Sequence, residues 1–285
     1  MGTKQRIIRT LSLGLAKPAP GQAELAHRAN LRTIRQAAWP RSVRIVVASP
    51  KGGVGKTPTA VLLGGFLAQI RGGSVGIWDS ADAANTLAAR TEGAAARCIS
   101  DIAANPDAYV LPAAVAMAAA TQTSSADVFG SLQEREFDGE DIRKITEVMD
   151  RAYRISIADT GNVPHSEAFE AVIESADILV IPTIGTADSV NKALSLLRRL
   201  QDTDLPTRAV VAFLRYGGPE TPNLHVNSLF ANAGVGAVVD IPFDSHIAQG
   251  TVLTVGTLSH PSKVAWTHLA ATVVANITVG KAELT

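Results

Sequence analysis

The fold is decided by the stretch Val43-Arg-Ile-Val-Val-Ala-Ser-Pro-Lys51-Gly-Gly-Val-Gly-Lys56-Thr57. It opens with a short β-branched run, residues 43–48, which predicts a buried strand. A glycine-rich loop follows, and the apolar residues after Pro58 predict the start of a helix. Proline is tolerated at this place because the first helical turn does not use its N–H. A strand, a glycine loop and a helix in this order predict a site for a phosphate group.

The residue types in the loop suit a nucleoside triphosphate. Glycines let main-chain N–H groups converge on a phosphate, and the positive end of the next helix adds to the attraction. The Lys56 ammonium is expected to reach the β- and γ-phosphates, and the Thr57 hydroxyl is expected to bind Mg²⁺. A glycine turn that binds nothing is the alternative, and Lys51, Lys56 and Thr57 at these spacings argue against it. The residues expected to hold the nucleotide here are Gly52, Gly53, Val54, Gly55, Lys56, Thr57 and Pro58.

The segment Lys51-Gly-Gly-Val-Gly-Lys56-Thr57 resembles the deviant Walker A motif of the MinD/ParA family of dimeric ATPases. Pro50 stands where the strict Walker pattern has its first glycine. The resemblance covers residues 43–278 and implies ATP and Mg²⁺ as cofactors and a homodimer that forms on ATP binding. In that dimer, Lys51 would act as a catalytic residue on the nucleotide of the partner subunit, as an arginine finger does. Within the family, the chain most resembles MinD-like ATPases encoded near actinobacterial type VII secretion genes, which share a basic N-terminal extension and a stretch like Pro242-Phe-Asp244.

Two further apolar runs each end in an aspartate, Asp79 and Asp159. The functional residues of open parallel sheets lie at such strand ends. The resemblance makes Asp79 the start of switch I and Asp159 the Walker B residue, so that both join Thr57 around Mg²⁺. Gly161, which follows Asp159 closely, would place its N–H near the γ-phosphate.

The switch I segment departs from the family pattern, which is Asp-x-Asp. Ala81 stands where the second carboxylate, which orients the attacking water, is expected. Asp82 would take over this catalytic role if the loop adjusts, or would only cap the helix that follows. In the second case hydrolysis would be very slow. The catalytic residues implied by the resemblance are therefore Lys51, Lys56, Asp79 and Asp82.

The base end of the site is less well defined by the sequence. In relatives, stretches like Phe213-Leu-Arg215 and Asp240-Ile-Pro242 flank the adenine, so Pro242 is expected to contact the nucleotide. The asparagine that usually follows the first of these strands is not evident here. The contacts to the base therefore stay open.

The chain has 285 residues and no net charge, but its charges are unevenly distributed. We expect a basic, partly flexible extension over residues 1–42 and a MinD/ParA-like P-loop ATPase domain over 43–280. The extension could contact nucleic acid or a membrane, or dock on its own acidic domain. Residues 1–44 hold a single acidic residue, Glu24, against the cations Lys4, Arg6, Arg9, Lys17, Arg28, Arg32, Arg35, Arg41 and Arg44.

Cys98 is the only cysteine, which excludes an intrachain disulfide and an iron–sulfur site held by two cysteines per chain. No apolar run reaches about 18 residues, so no transmembrane segment is expected. The sequence at 280–285 lacks the membrane anchor that ends the division-site MinD, and we expect a cytoplasmic protein. A tyrosine kinase on the same fold is disfavoured because the tyrosines do not cluster at the C-terminus.

Alternating strands and helices predict an α/β fold, a single P-loop NTPase domain with a mostly parallel sheet of about seven strands and helices on both faces. Strands are expected over 43–48, 74–79, 127–130, 154–159, 177–182 and 207–213, and near 240. Helices are expected over 24–38, 57–70, 100–104, 138–153, 188–200 and 262–278.

The function expected from the resemblance is a Mg²⁺-ATP-dependent dimerising ATPase switch, slow and stimulated by a partner. Its cargo would be DNA in partition, or a secretion or conjugation apparatus. Its partners would be a protein activator or cargo adaptor, with non-specific DNA as an open alternative. The other hypothesis is a hydrolysis-impaired, nucleotide-locked scaffold, which Ala81 favours.

Overall fold

The computed structural model describes residues 21–81, 87–130, 136–161 and 163–277. Short 3₁₀ turns lie at Pro106–Tyr109 and Val255–Thr257. The strands are β1 Val43–Val47, β2 Val75–Asp79, β3 Ala120–Thr121, β4 Asp127–Phe129, β5 Ile155–Asp159, β6 Ile178–Ile184, β7 Val210–Leu214 and β8 Ala237–Ile241. The helices are α1 Gln22–Gln36, α2 Lys56–Arg71, α3 Leu87–Arg90, α4 Ile99–Ala104, α5 Pro112–Ala118, α6 Gly139–Ala152, α7 Glu167–Glu174, α8 Ala187–Arg199, α9 Leu205–Arg208, α10 Val226–Asn232, α11 Ser245–Ala248 and α12 His260–Asn276.

The described residues form an 8-stranded sheet in the order β3-β4-β2-β5-β1-β6-β7-β8. The pairing is parallel throughout except between β3 and β4, at one edge. The mostly parallel α/β sheet predicted from the sequence is therefore confirmed. The strand beyond the expected number is β3, which is only 2 residues long.

Helices cover both faces of the sheet, as predicted. Helices α1, α2 and α12 pack on one face, where Ile34, Leu67 and Trp266 are fully buried. Helices α4–α8 and α10 pack on the other, around side chains such as Ile145 and Phe230. The central strands are covered by helices on both faces of the sheet. Their sequences are therefore nearly continuous apolar runs and do not alternate between apolar and polar residues.

Several helix ends are fixed by capping residues. Asp138, Ser166 and Thr186 each accept a hydrogen bond from a main-chain N–H in the first turn of α6, α7 and α8. Helix α2 ends at Gly72, whose left-handed backbone (φ 84°) lets its N–H reach the Ala68 carbonyl. Of these helices, α7 is not among those expected from the sequence.

Two predicted elements differ in the structure. The strand predicted over 207–213 begins only at Val210, because Leu205–Arg208 form the short helix α9 with Pro206 in its first turn. The N-terminal helix predicted over 24–38 is shifted by two residues, to α1 Gln22–Gln36. Ile34 is buried there, but Leu25 is half-exposed.

The described part of the N-terminal extension is attached to the domain. Helix α1 packs on α12 and α2. Arg41, in the extension, forms an ion pair with Asp177 at 2.5 Å, and Arg44, which lies in β1 of the domain itself, forms one with Asp150. The contacts of α1 and of Arg41 place residues 21–42 against the domain. Within the described ranges, no helix combines the length and the apolar character that a membrane span requires.

Candidate functional site

The carboxyl ends of three neighbouring strands meet at one edge of the sheet. In the strand register, Asp159 of β5 lies opposite Val47 of β1 and opposite Asp79 of β2. The loop after β1 therefore begins beside both predicted carboxylates. Ligands of open α/β sheets bind in the crevice outside these strand ends.

A cleft of about 620 Å³ lies at this edge, within the range of about 300–1,000 Å³ that is usual for small-molecule sites. Every residue predicted to hold the nucleotide lines it. These residues are Gly52, Gly53, Val54, Gly55, Lys56, Thr57, Pro58, Gly161 and Pro242.

The glycines of the loop are required by its backbone. Gly53 and Gly55 have φ values of 75° and 91°, in the left-handed region. A Cβ on Gly55 would also lie 2.8 Å from Cδ2 of Leu214. Since the helix α2 begins immediately afterwards at Lys56, the loop presents the N–H groups of the first turn to the cleft.

Lys56 lies inside the cleft and curls back over the loop. Its Nζ donates a hydrogen bond to the main-chain oxygen of Lys51 at 3.3 Å. Burial lowers the pKa of the Lys56 ammonium, while the nearby Asp159 carboxylate raises it. The ammonium is thus partly desolvated, and a phosphate oxygen would supply a stronger acceptor than a neutral carbonyl.

The residues predicted to surround Mg²⁺ come together. Thr57 Oγ1 donates to Asp159 Oδ2 at 2.7 Å, and both Asp79 and Asp159 are fully buried. The Ala81 N–H donates to Asp79 Oδ1 at 2.9 Å, which fixes the beginning of the segment predicted to be switch I. Among the described residues, no group of three or more His, Cys, Asp or Glu side chains could hold a metal alone. A hydroxyl beside carboxylates fits Mg²⁺, which prefers oxygen ligands and completes its shell with phosphate oxygens and water.

Lys51 does not line the cleft. Its Nζ forms an ion pair with Asp188 Oδ2 at 2.7 Å, in the first turn of α8. This contact lowers the pKa of the Asp188 carboxyl, and the positive charge of Lys192 adds to the lowering. The structure therefore places the two loop lysines differently, with Lys56 in the cleft and Lys51 on the surface beside it.

The two switch segments are described only in part. Ala81 and Gly161 line the cleft, and Ala81 is 7% exposed. Asp82, expected either to replace the missing carboxylate or to cap a helix, lies outside the described residues.

The other end of the cleft, predicted to hold the base, is lined by residues of the two stretches named from the sequence and also by Tyr216, Ile247 and Ala248, which the sequence did not single out. Arg215 stacks on the Phe213 ring at 4.6 Å and pairs with Asp240 and Glu220, each at 2.7 Å. These hydrogen bonds and charges raise the pKa of its guanidinium, against the opposing effect of burial. The lining at this end is Leu214, Arg215, Tyr216, Ile241, Pro242, Phe243, Asp244, Ile247 and Ala248.

Asp244 holds the base end together. It is 5% exposed and accepts hydrogen bonds from the main-chain N–H groups of His246 (3.0 Å) and Ser259 (2.9 Å). Burial raises the pKa of its carboxyl, but hydrogen bonds from Ser262, Ser259 and His246 outweigh this and hold that pKa well below the ordinary value. Asp244 thus caps α11 and secures the start of α12 at the same time.

We expect Asp244→Asn to lower the free energy of unfolding by about 2 kcal/mol at pH 7, because the amide accepts these bonds less well than a carboxylate. The pKa of the Asp244 carboxyl is lower in the folded than in the unfolded chain, so its charge stabilises the fold above the unfolded pKa. The difference in free energy of unfolding between Asp244→Asn and the native chain should therefore stay constant above about pH 4 and shrink in more acidic solution. Urea unfolding between pH 7 and pH 3 measures it. The exposed Asp107→Asn is the control, with an expected change under about 0.5 kcal/mol. An equal effect in both variants would contradict the capping role.

The strand order, the glycine loop and the carboxylates at the strand ends together define an α/β nucleotide-binding fold. A sequence profile of the CobQ/CobB/MinD/ParA nucleotide binding domain matches residues 45–250, and the chain belongs to this family. This confirms the MinD/ParA resemblance found in the sequence.

Individual relatives extend the comparison. The chain is 28% identical over 232 residues to the ESX-1 secretion-associated protein EspI of Mycobacterium tuberculosis, covering 76% of this chain and 34% of the relative. The chain thus spans about a third of the length of the curated relatives it matches. A ParA family ATPase from Chlorobium tepidum TLS has a TM-score of 0.67 at 17% identity, covering 80% of this chain and 98% of that one. The septum site-determining protein MinD complexed with Mg-ADP from Pyrococcus horikoshii OT3 has a TM-score of 0.60 at 15% identity, covering 80% and 94%.

Proposed function

We propose that the protein is a Mg²⁺-ATP-dependent dimerising ATPase switch that works in the cytoplasm and positions a macromolecular cargo. The observation that carries the proposal is the different placement of the two loop lysines. Lys56 is inside the cleft, within reach of the phosphates of its own nucleotide, whereas Lys51 lies on the surface beside the same loop. A surface lysine at this place can contribute to a second subunit's site when two clefts face each other.

Catalysis in this switch consists of positioning and charge stabilisation. The loop N–H groups and Lys56 hold the phosphates, and Thr57, Asp79 and Asp159 surround Mg²⁺, which neutralises phosphate charge. The Mg-ADP complex of the archaeal MinD relative supports this choice of cofactors. Lys51 of each subunit supplies the charge that links ATP to dimer formation.

The mass of the purified protein tests the proposal. Light scattering without nucleotide, with ADP–Mg²⁺ and with ATP–Mg²⁺ should give a dimer only with ATP, and the dimer should decay as phosphate is released. An unchanged mass in all three samples would refute the dimerising switch.

The cargo is proposed from the relatives. Similarity to EspI favours a component of a secretion apparatus, and membership of the MinD/ParA family keeps DNA partition as the other candidate. ATP-dependent, salt-sensitive binding to non-specific DNA would identify partition as the function. No DNA binding, together with ATP-dependent binding to a purified secretion component, would identify the apparatus.

One observation favours the second candidate function, a nucleotide-locked scaffold. Ala81 is buried at the cleft and offers only a methyl group where the family orients the attacking water. A dimer that forms with ATP and persists without phosphate release would identify the scaffold.

We expect Ala81→Asp to raise phosphate release at least about tenfold, because a positioned general base or water-orienting carboxylate typically contributes about 10²–10⁴-fold. Ala81→Asn introduces a side chain of the same size as that of Ala81→Asp but without the charge, and it serves as the control. Phosphate release is measured at saturating ATP, and the nucleotide affinities of the native chain and both variants are checked to be equal. The comparison then reports the hydrolysis step alone. Equal rates in the native chain and both variants would show that hydrolysis is not limited by the missing carboxylate.

A further inference from the structure

Arg90 is a cation of the cleft that belongs to none of the motifs described above. It is the last residue of α3 and lines the cleft together with the phosphate loop and the residues after β8. Its Nη2 donates to the Ile247 carbonyl at 3.0 Å, and its own carbonyl accepts from the Leu253 N–H at 2.9 Å. Arg90 therefore connects the chain that follows switch I to the loop at the base end.

The charge of Arg90 is not compensated within the described protein. The cationic side chains that line the cleft there are Lys56, Arg90 and Arg215. Arg215 is neutralised by Asp240 and Glu220, and Lys56 is influenced by Asp159. Arg90 forms no ion pair with a carboxylate of residues 21–81, 87–130, 136–161 or 163–277.

The guanidinium is also incompletely hydrogen-bonded. Its Nε is buried, and no acceptor among the described residues lies within hydrogen-bond distance. Burial lowers the pKa of the Arg90 guanidinium, and no neighbouring anion opposes this effect. A partly buried cation without a counter-ion costs free energy unless an anion binds beside it.

We propose that Arg90 is a further nucleotide-binding residue, whose guanidinium pairs with the phosphate chain of the bound nucleotide. The inference rests on the proposed nucleotide function and assigns that site a third cation besides Lys56 and Lys51. A guanidinium suits this role because its planar set of donors matches phosphate oxygens. By holding both the phosphate chain and the Ile247 carbonyl, Arg90 makes the position of the base-end loop depend on the nucleotide.

Binding of ADP–Mg²⁺ and of adenosine separates this role from a purely structural one. We expect Arg90→Gln and Arg90→Ala to weaken ADP–Mg²⁺ binding about tenfold or more, because charged hydrogen bonds to phosphate are lost. Adenosine, which has no phosphate, should bind both variants within about twofold of the native chain. Arg90→Lys keeps the charge and should recover part of the affinity for ADP. Competition against a fluorescent nucleotide analogue measures all of these affinities.

The matched control is Arg97→Gln, an exposed arginine outside the cleft, which should leave both affinities unchanged. The salt dependence of ADP binding should also become weaker in Arg90→Gln than in the native chain. Melting temperatures verify that each variant is folded.

Equal weakening of adenosine and ADP binding would overturn the proposal and leave Arg90 as a support for Ile247. Unchanged binding in the Arg90 variants would overturn it as well, with the nucleotide function intact. A native chain that binds no nucleotide would refute the proposed function and this inference together.

Discussion

Replacing Lys56 with alanine is expected to weaken the binding of ATP–Mg²⁺ and ADP–Mg²⁺ about 100-fold, the effect of losing charged hydrogen bonds worth about 1.5–3 kcal/mol. Lys56 lies in the cleft at the first position of α2, and its ammonium is partly desolvated. In the described structure its hydrogen-bond acceptor is only the neutral carbonyl of Lys51. A bound phosphate would replace this acceptor by an anion, so most of the side chain's binding energy should appear only with the nucleotide.

The same geometry predicts that stability will hardly change. Lys56→Ala removes a partly buried cation whose burial lowers its pKa, so the folded chain loses little when the nucleotide is absent. Melting without nucleotide should therefore match the native chain within a few degrees, whereas the increase in melting temperature that nucleotide causes should disappear.

Calorimetric titration with ADP–Mg²⁺ measures the affinity directly. Lys192→Ala is the matched control, because Lys192 is an exposed lysine on α8 outside the cleft. Native-like affinity in Lys56→Ala would show that the loop does not hold phosphate through this lysine.

The residues that meet at the loop end of the cleft could be predicted from sequence because the information for them is local. Residues 51–57 are consecutive, and Asp79 and Asp159 each end a short, mostly apolar run. Parallel strands bring their carboxyl ends to one edge whatever the rest of the chain does. The direct hydrogen bond between Thr57 and Asp159 then follows from the neighbouring positions of β1 and β5.

The remaining parts of the site depend on contacts between distant segments. Arg90 meets Ile247 across 157 positions of the chain, and Lys51 meets Asp188 across a similar distance. Neither pair has a spacing or a periodicity that a single sequence could display. The helix and strand before β4 are not indicated by the sequence for another reason. Helix α5 and strand β3 lie in an alanine-rich stretch, where apolar and polar positions alternate too weakly to indicate a period.

Leu214 contributes to the site only through its surroundings in the fold. It lines the cleft and lies 2.8 Å from the place a Gly55 Cβ would occupy. Its side chain therefore packs against the curl of the loop that precedes α2.

Replacing Lys51 with alanine is expected to separate dimer formation from nucleotide binding. The Lys51 side chain points away from the cleft to Asp188, so its loss should leave the affinity of one subunit for ATP–Mg²⁺ within about threefold of the native value. If Lys51 acts across the dimer, the ATP-dependent dimer should be lost, and any phosphate release should fall by up to about 10³-fold, as for a removed arginine finger. Light scattering with ATP–Mg²⁺ and titration with ADP–Mg²⁺ measure the two effects.

Substitution of Asp188, the partner of Lys51 in this ion pair, should have the opposite effect on dimer formation. In the single subunit its carboxylate holds Lys51 at 2.7 Å, and this bond must break before the ammonium can reach another subunit. Asp188→Asn removes the attraction without removing Lys51, so the ATP dimer should form at a protein concentration about threefold lower. Such a gain is expected only if Lys51 has a second partner in the dimer, since a lysine used for local folding alone would gain nothing from its release. Equal losses of nucleotide binding in Lys51→Ala and Lys56→Ala, or an unchanged dimer in Asp188→Asn and Lys51→Ala, would therefore refute the role of Lys51 across the dimer.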